Sequence, residues 1–357
     1  MQDGVYIEYL MEQRIMRRTN IMDELHKIYA GKYERWIRQY LISKQILEAP
    51  LFIFCNTLYK LPDTFRIRNN SFFIGDYQLY KCLYDWNYEE HQDILVELCL
   101  KQYIESCYLN DKLDEAYWLC LTCDGLENYK SGDYFEDKTI YYYRERTGIQ
   151  EEFTLVHEAA HYEYRFIDKE KETKDIREIY RLVPRVRKIS EKLAREKNDD
   201  SDKRLFEECY CDAESIKFIL DNYIPNENIK IEDIFFLLFR TLLYIYILMY
   251  IHSMTLEKDE TPRKYYDYQL WELTYRMANM YTVIYEWLLT NMPEQVNVLK
   301  KIYSDYTETF KNKMKKVREV VEKLKDIMQQ NDDNMRKLSK RSENEKKQLI
   351  KEYLKLC

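Results

Sequence analysis

Thr154-Leu155-Val156-His157-Glu158-Ala159-Ala160-His161 sets two histidines four residues apart, with an acid directly after the first. In a helix, residues at that spacing share a face, so His157 and His161 can offer ring nitrogens to one cation while Glu158 points beside it. The residue types suit the chemistry. Two neutral imidazoles hold a divalent ion such as Zn²⁺, and a neighbouring carboxylate can take a proton from water as it attacks a carbonyl. The competing reading is an ordinary helix that happens to carry two histidines on its surface or in the core, and the flanking sequence has to decide between them.

Upstream, Thr139-Ile-Tyr-Tyr-Tyr-Arg144 predicts a strand, stopped at Gly148, with the helix bearing His157 starting within a few residues. Downstream, residues 168–206 are heavily charged and read as a loop, a solvated helix over about 174–196 that Pro184 starts or kinks, and a second loop through Lys197–Lys203. Then Leu205, Cys209, Ile216 and Leu220 fall at helical spacing, with Glu208 and Asp212 four apart on a common face. A catalytic zinc takes three protein ligands and keeps one position open, so a carboxylate from this later helix would complete the two histidines. Glu208 is the preferred third ligand because Asp212, one turn on, can then accept the free N–H of a ligand histidine and fix its tautomer. Glu207, Asp212 and Glu214 remain alternatives for that ligand.

The combination of H-E-x-x-H with E-x-x-x-D resembles the gluzincin branch of the zinc metallopeptidases. The resemblance implies His157, His161 and Glu208 as zinc ligands, Glu158 as general base and Asp212 behind them. The metzincin branch is set aside, since it would need Gly at 164 and His at 167 and this chain has Tyr164 and Ile167. Glu207-Glu208-x-x-Cys211-Asp212-Ala213-Glu214-Ser215-Ile216-x-Phe218-Ile219-Leu220 is also similar to the E-x-x-A-D-x-F-A-x-x-L stretch of small bacterial metallopeptidases that cleave phage repressors, and of the phage-exclusion peptidases. That likeness runs from Thr154 to Leu220. Cys211 stands where the family has Ala, and the segment between the two helices is longer and more charged. The resemblance implies hydrolysis of a peptide bond in an intracellular protein, in bacterial or phage defence or regulation. It also implies that the predicted strand 139–144 would edge the cleft and pair with an extended substrate.

Composition agrees with a long helical chain. Its 357 residues are 46% apolar and 33% charged with a mean hydropathy of −0.64, and only 6 Gly and 6 Pro interrupt it, which argues against a turn-rich all-β fold. No single residue stands out among 35 Tyr. Nine Cys form no evident framework, Cys120-Leu-Thr-Cys123 has no partner pair at zinc-ribbon spacing, and the first residues lack the basic start and apolar core of a signal peptide, so a reducing cytosol is expected. The net charge of −7 is uneven: 15 basic against 8 acidic residues from Lys311 to Cys357 give +7, leaving −14 for the first 310. An acidic motif region makes no general electrostatic case for nucleic-acid binding.

Elsewhere, 5–48 reads as helix through Met11, Ile15, Met22, Leu25 and Ile28, and Leu51–Cys55 is a short apolar run. Aromatic and β-branched residues from Phe65 to Tyr80 predict a hairpin, 90–122 predicts two helices broken near Asn110-Asp111, and 125–137 is a polar loop. Ile231–Ile251 approaches the length of a membrane span, but Arg240 inside it and Asp233 near its start favour a helix buried in a large domain, with no membrane. His252 at its end, or Tyr265 or Tyr266 just beyond, could donate to a developing oxyanion. Residues 264–290 predict a further helix, ended near Asn291-Met-Pro293. Tyr303, Phe310, Val317, Leu324 and Leu338 lie on heptad steps, so a long C-terminal helix is expected to pack on the domain, on another copy or on a partner protein. The expectation is therefore a mainly α (α+β) fold: a helical region over 1–130, a zincin-like core with a small sheet beside the motif helix over 131–292, and a helical extension over 293–357. A non-catalytic alternative is a helical interaction protein braced by the metal.

Overall fold

A computed structural model describes residues 16–17, 24–57, 61–67, 70–76, 79–91, 95–109, 112–122, 138–167, 199–225, 229–256, 262–330 and 342–354. Among these, helix dominates and the strands form one small sheet, as the sparse Gly and Pro predict. In chain order the elements are β1 (Met16–Arg17), α1 (Glu24–Ser43), β2 (Leu51–Thr57), β3 (Asp63–Ile67), β4 (Asn70–Asp76), α2 (Leu79–His91), α3 (Leu95–Leu109) and α4 (Leu113–Thr122). Then come α5 (Lys138–Tyr162), a π-helical turn (Glu163–Ile167), α6 (Asp199–Tyr223), α7 (Ile231–Leu256), α8 (Pro262–Asn291), a 3₁₀ turn (Pro293–Gln295), α9 (Val296–Gln330) and α10 (Glu343–Leu354). The chain forms two compact units, each drawn from three separate stretches: Met1–Tyr84, Glu145–Leu243 and Leu270–Tyr303 in the first, and Asp85–Arg144, Tyr244–Gln269 and Ser304–Cys357 in the second.

The first unit holds the motif. Its sheet has the order β1-β2-β4-β3, with β2 parallel to β4 from Leu51↔Phe72 to Cys55↔Asp76 and β3 antiparallel to β4 from Asp63↔Ile74 to Ile67↔Asn70. The hairpin expected within 65–80 is β3–β4, and the apolar run at 51–55 is the strand beside it. β4 is central, so Phe72, Phe73 and Ile74 are no more than 3% exposed. Gly75 follows them because nothing larger fits: a Cβ there would lie 2.6 Å from the ring of Phe54, its partner across the ladder. That ring in turn packs edge-on against Tyr33 of α1, 5.1 Å between centroids.

α1 ends earlier than the helix expected over 5–48. Ile46 N–H bonds to Leu41 O at 2.9 Å and Gln45 N–H to Ile42 O at 2.9 Å, with Gln45 at φ 60°, which is the left-handed turn that closes helices. At the other end, Met16–Arg17 is extended and paired with Thr57 and Asn56 of β2, where a ladder bond replaces helical continuation. In the same unit, α1, α5, α6, α7 and α8 bury Ile37, Phe153, Val156, Ile216, Phe235 and Ile284 at no exposure. Each such side chain contributes on the order of 1.5–3 kcal/mol through apolar burial.

Two further sequence expectations change. Residues 139–144 are helical, inside α5, not a strand. Their β-rich composition is a weak preference that a 25-residue helix overrides once its C-terminal half is packed, and Gly148, inside the same helix, costs only about 1 kcal/mol relative to Ala. Helix α6 starts at Asp199, within the stretch read as a loop. The helix expected over 174–196, the polar loop at 125–137 and the heptad position Leu338 lie outside the described residues.

In the second unit, α3 and α4 pack together on either side of the expected break near Asn110-Asp111, and α10 packs on both, burying Ile350 and pairing the buried Lys346 with Asp114. Ile231–Ile251 of α7 is the one described span long and apolar enough to cross a membrane, and 83% of that window is buried against the rest of the chain, as expected of a core helix.

Candidate metal centre

The motif sits on the best-anchored part of α5. Arg146 makes a two-bond pair with Asp233 of α7 at 3.0 and 3.1 Å, and Gln150 Nε2 donates to Leu237 O at 3.1 Å. On another side, buried Glu151 accepts from Lys32 Nζ at 2.6 Å and from the Tyr33 hydroxyl of α1. Glu152 accepts from the Tyr223 hydroxyl of α6 at 2.5 Å. These ties fix both the rotation and the height of the helix, so the histidines that follow have little freedom of register.

His157 and His161 are 6% and 3% exposed, and their Nε2 atoms face each other at 3.1 Å. Glu208 of α6 completes a triangle, with Oε2 3.3 Å from His157 Nε2 and Oε1 3.7 Å from His161 Nε2. Donors around a tetrahedral zinc with bonds of about 2.0–2.2 Å stand roughly 3.3–3.6 Å apart; the 3.1, 3.3 and 3.7 Å separations here bracket that range, the last two made by different oxygens of one carboxylate. His157, Glu158 and His161 each place a ligand atom within 4.8 Å of the others, and Glu158 is the member that keeps some exposure. Two imidazoles and a carboxylate are a donor set that could hold a metal ion.

Behind each imidazole stands a carboxylate, and behind each carboxylate an arginine. His161 Nδ1 lies 2.7 Å from Glu207 Oε1, and Arg165 Nε holds the same oxygen. Arg165 also donates from Nη1 to Thr64 O of β3 at 3.2 Å. His157 Nδ1 lies 3.0 Å from Asp212 Oδ1, close but poorly aligned for a hydrogen bond. Arg276 of α8 bonds both Asp212 oxygens at 2.8 Å and Glu208 Oε2 at 2.9 Å. Such outer partners orient metal-binding histidines and fix their tautomers.

The electrostatics follow from this ring of charge. Burial pulls the His157 imidazole down, but the Asp212 and Glu208 carboxylates outweigh it and hold it up at about 9. Burial dominates at His161, which is lowered in spite of Glu207. Burial pushes Glu158 up to about 8, with Asp63 and Glu208 adding to it and His157 opposing. Glu208 and Asp212 are both held low, against the cost of burial, chiefly by Arg276. A divalent ion between His157 and Glu158 would supply positive charge that lowers both groups.

Among the residues singled out from the sequence, His157, Glu158, His161, Glu208 and Asp212 come together. Glu207 turns to the far nitrogen of His161, and Glu214 pairs instead with Lys44 and Lys217. His252, Tyr265 and Tyr266 belong to the second unit, and their side chains lie outside the described residues. Residues 139–144, expected as a strand edging the cleft, are helical; β3 touches the residues around the motif, its Thr64 carbonyl accepting from Arg165. Two residues escaped sequence reading. Arg165 has a local signal, since it follows His161 by four residues; Arg276 has none, being 64 residues from Asp212. No protein-family model, curated protein or solved structure matches this chain.

Proposed function

We propose that this chain is a zinc-dependent peptidase that hydrolyses a peptide bond in an intracellular protein. The observation that carries the reading is the triangle of His157, His161 and Glu208, at separations that bracket those around a tetrahedral zinc, with Glu158 beside it on the more open side. His157, His161 and Glu208 would hold the ion. When bound, zinc would polarise a scissile carbonyl and lower the pKa of adjacent water toward neutral. Glu158 would take the proton of the attacking water and return it to the leaving amine. Glu207 and Asp212, backed by Arg165 and Arg276, would keep both imidazoles oriented.

An extended peptide has a place to bind. Among the described residues β3 pairs with β4 alone, and its register with Thr64 O turned outward to Arg165 sets the Arg66 backbone facing outward too. A substrate strand could add there. A zincin-like core, a cytosolic setting, a role in defence or stress control and a protein partner for the C-terminal helix belong to the same proposal. The alternative, a metal that only braces the helices, would close the fourth position with Glu158; the partial exposure of Glu158 favours the enzyme.

The test is elemental analysis together with a search for new protein termini in cells carrying wild type or Glu158→Gln. Zinc in both, with cleavage products in wild type alone, supports the reading. Purified protein that takes up no metal refutes it.

A further inference from the structure

One buried cation stands closer to the ligand set than any tie between helices requires. Arg276 is 7% exposed, and its guanidinium spans two carboxylates of α6, with Nε and Nη2 each 2.8 Å from an Asp212 oxygen and Nη1 2.9 Å from Glu208 Oε2. Glu272, one turn earlier on α8, stands 3.8 Å from Nη1. Glu208 and Asp212 lie four residues apart on one face, where like charges repel, and burial strengthens that repulsion. Left alone, the two carboxylates would swing apart. The rigid fork of an arginine opposes this with directed bonds, which a lysine cannot reproduce. Both acids reach one imidazole: Glu208 Oε2 lies 3.3 Å from His157 Nε2 and Asp212 Oδ1 3.0 Å from Nδ1. A single guanidinium therefore sets the surroundings of both nitrogens of His157.

We propose that Arg276 is a positioning residue for the metal, holding Glu208 and Asp212 against His157 so that the ligand set is assembled before the ion arrives. The inference rests on the metal reading above. It makes a claim about sign. By charge alone, a fixed cation beside the site should weaken metal binding, so its removal should tighten it. If Arg276 acts by orientation, its removal should loosen binding. A purely structural role is separable too, because Asn279, three residues on, also ties α8 to α6 through a 2.8 Å bond from Nδ2 to Cys209 O and touches no ligand.

The experiment measures Zn²⁺ and Co²⁺ affinity by chelator competition, and the visible absorption of the Co²⁺ form, for the full chain as wild type, Arg276→Gln, Arg276→Lys and Asn279→Ala. Both Arg276 variants should bind 10- to 100-fold more weakly, the range found when outer partners of metal ligands are lost, and the Co²⁺ bands should shift. Asn279→Ala should keep the wild-type affinity and bands. Should Arg276→Gln fail to fold, Arg276→Lys decides, since it keeps the charge without the fork. Unchanged or tighter binding in the Arg276 variants overturns the proposal, and so does an equal loss in Asn279→Ala. A wild type that binds neither metal overturns the metal reading and this inference together; a wild type that binds normally alongside unaltered Arg276 variants overturns this inference alone.

Discussion

At the scale of single residues, the proposed roles separate holding a metal from using it. Glu158 is not needed to complete the triangle of His157, His161 and Glu208, so Glu158→Gln should keep the wild-type zinc content while turnover falls by about 10²- to 10⁴-fold, the usual worth of a general base. Parallel elemental analysis and peptide hydrolysis check this, and wild-type turnover would remove Glu158 from the role. Glu208→Ala should do the opposite and lose the ion. It also leaves Arg276 Nη1 without its closest carboxylate, so the loss should persist at zinc concentrations that saturate wild type. Full occupancy in Glu208→Ala would move the third ligand to Glu207 or Asp212.

Among the elements, the sheet and the motif helix are linked by a short packed path. Gly75 leaves room for Phe54, Phe54 packs on Tyr33, and Tyr33 donates to Glu151 on α5, six residues before His157. Gly75→Ala drives a methyl into the Phe54 ring and should cost about 1–3 kcal/mol, read as a lower midpoint in urea. A stability unchanged to within roughly 0.5 kcal/mol, the size of ordinary surface substitutions, would mean that Phe54 moves aside freely. β3 carries a separate prediction. Arg66→Pro removes a backbone N–H on the side away from β4, so it should weaken substrate binding while zinc content stays normal; lost zinc would show that β3 supports the metal site rather than the substrate. The elements also show where sequence reading succeeds. Helix α6 and the β3–β4 hairpin were legible because their apolar spacing and Gly75 are local signals. The run at 139–144 misled because Ile and Tyr favour strands only weakly, and the deciding contacts, Arg146 with Asp233 and Gln150 with Leu237, lie 87 residues away. Arg276 was illegible for the same reason: its meaning comes wholly from carboxylates distant in sequence.

For the whole molecule, the site gathers groups from Thr64 on β3 to Arg276 on α8 within one compact unit, so an ion bound there stabilises only the folded chain. Free zinc at a hundred times its Kd should add about 2.7 kcal/mol, and EDTA should remove it, lowering the melting midpoint by several degrees in a scan. Glu208→Ala should melt identically with zinc and with EDTA. A wild type indifferent to both would refute the metal reading at this scale. One local feature carries a longer consequence. The helix that bears the histidines passes directly into a π turn at Glu163–Ile167, and each such turn holds a residue more than the regular α-helical spacing allows. Shortening the chain by one residue there would restore regular winding and rotate Arg165 away from Glu207 and Thr64, with His157 and His161 unmoved. The wider turn thus aims an arginine, and a helix without it would have to secure the second imidazole by other means.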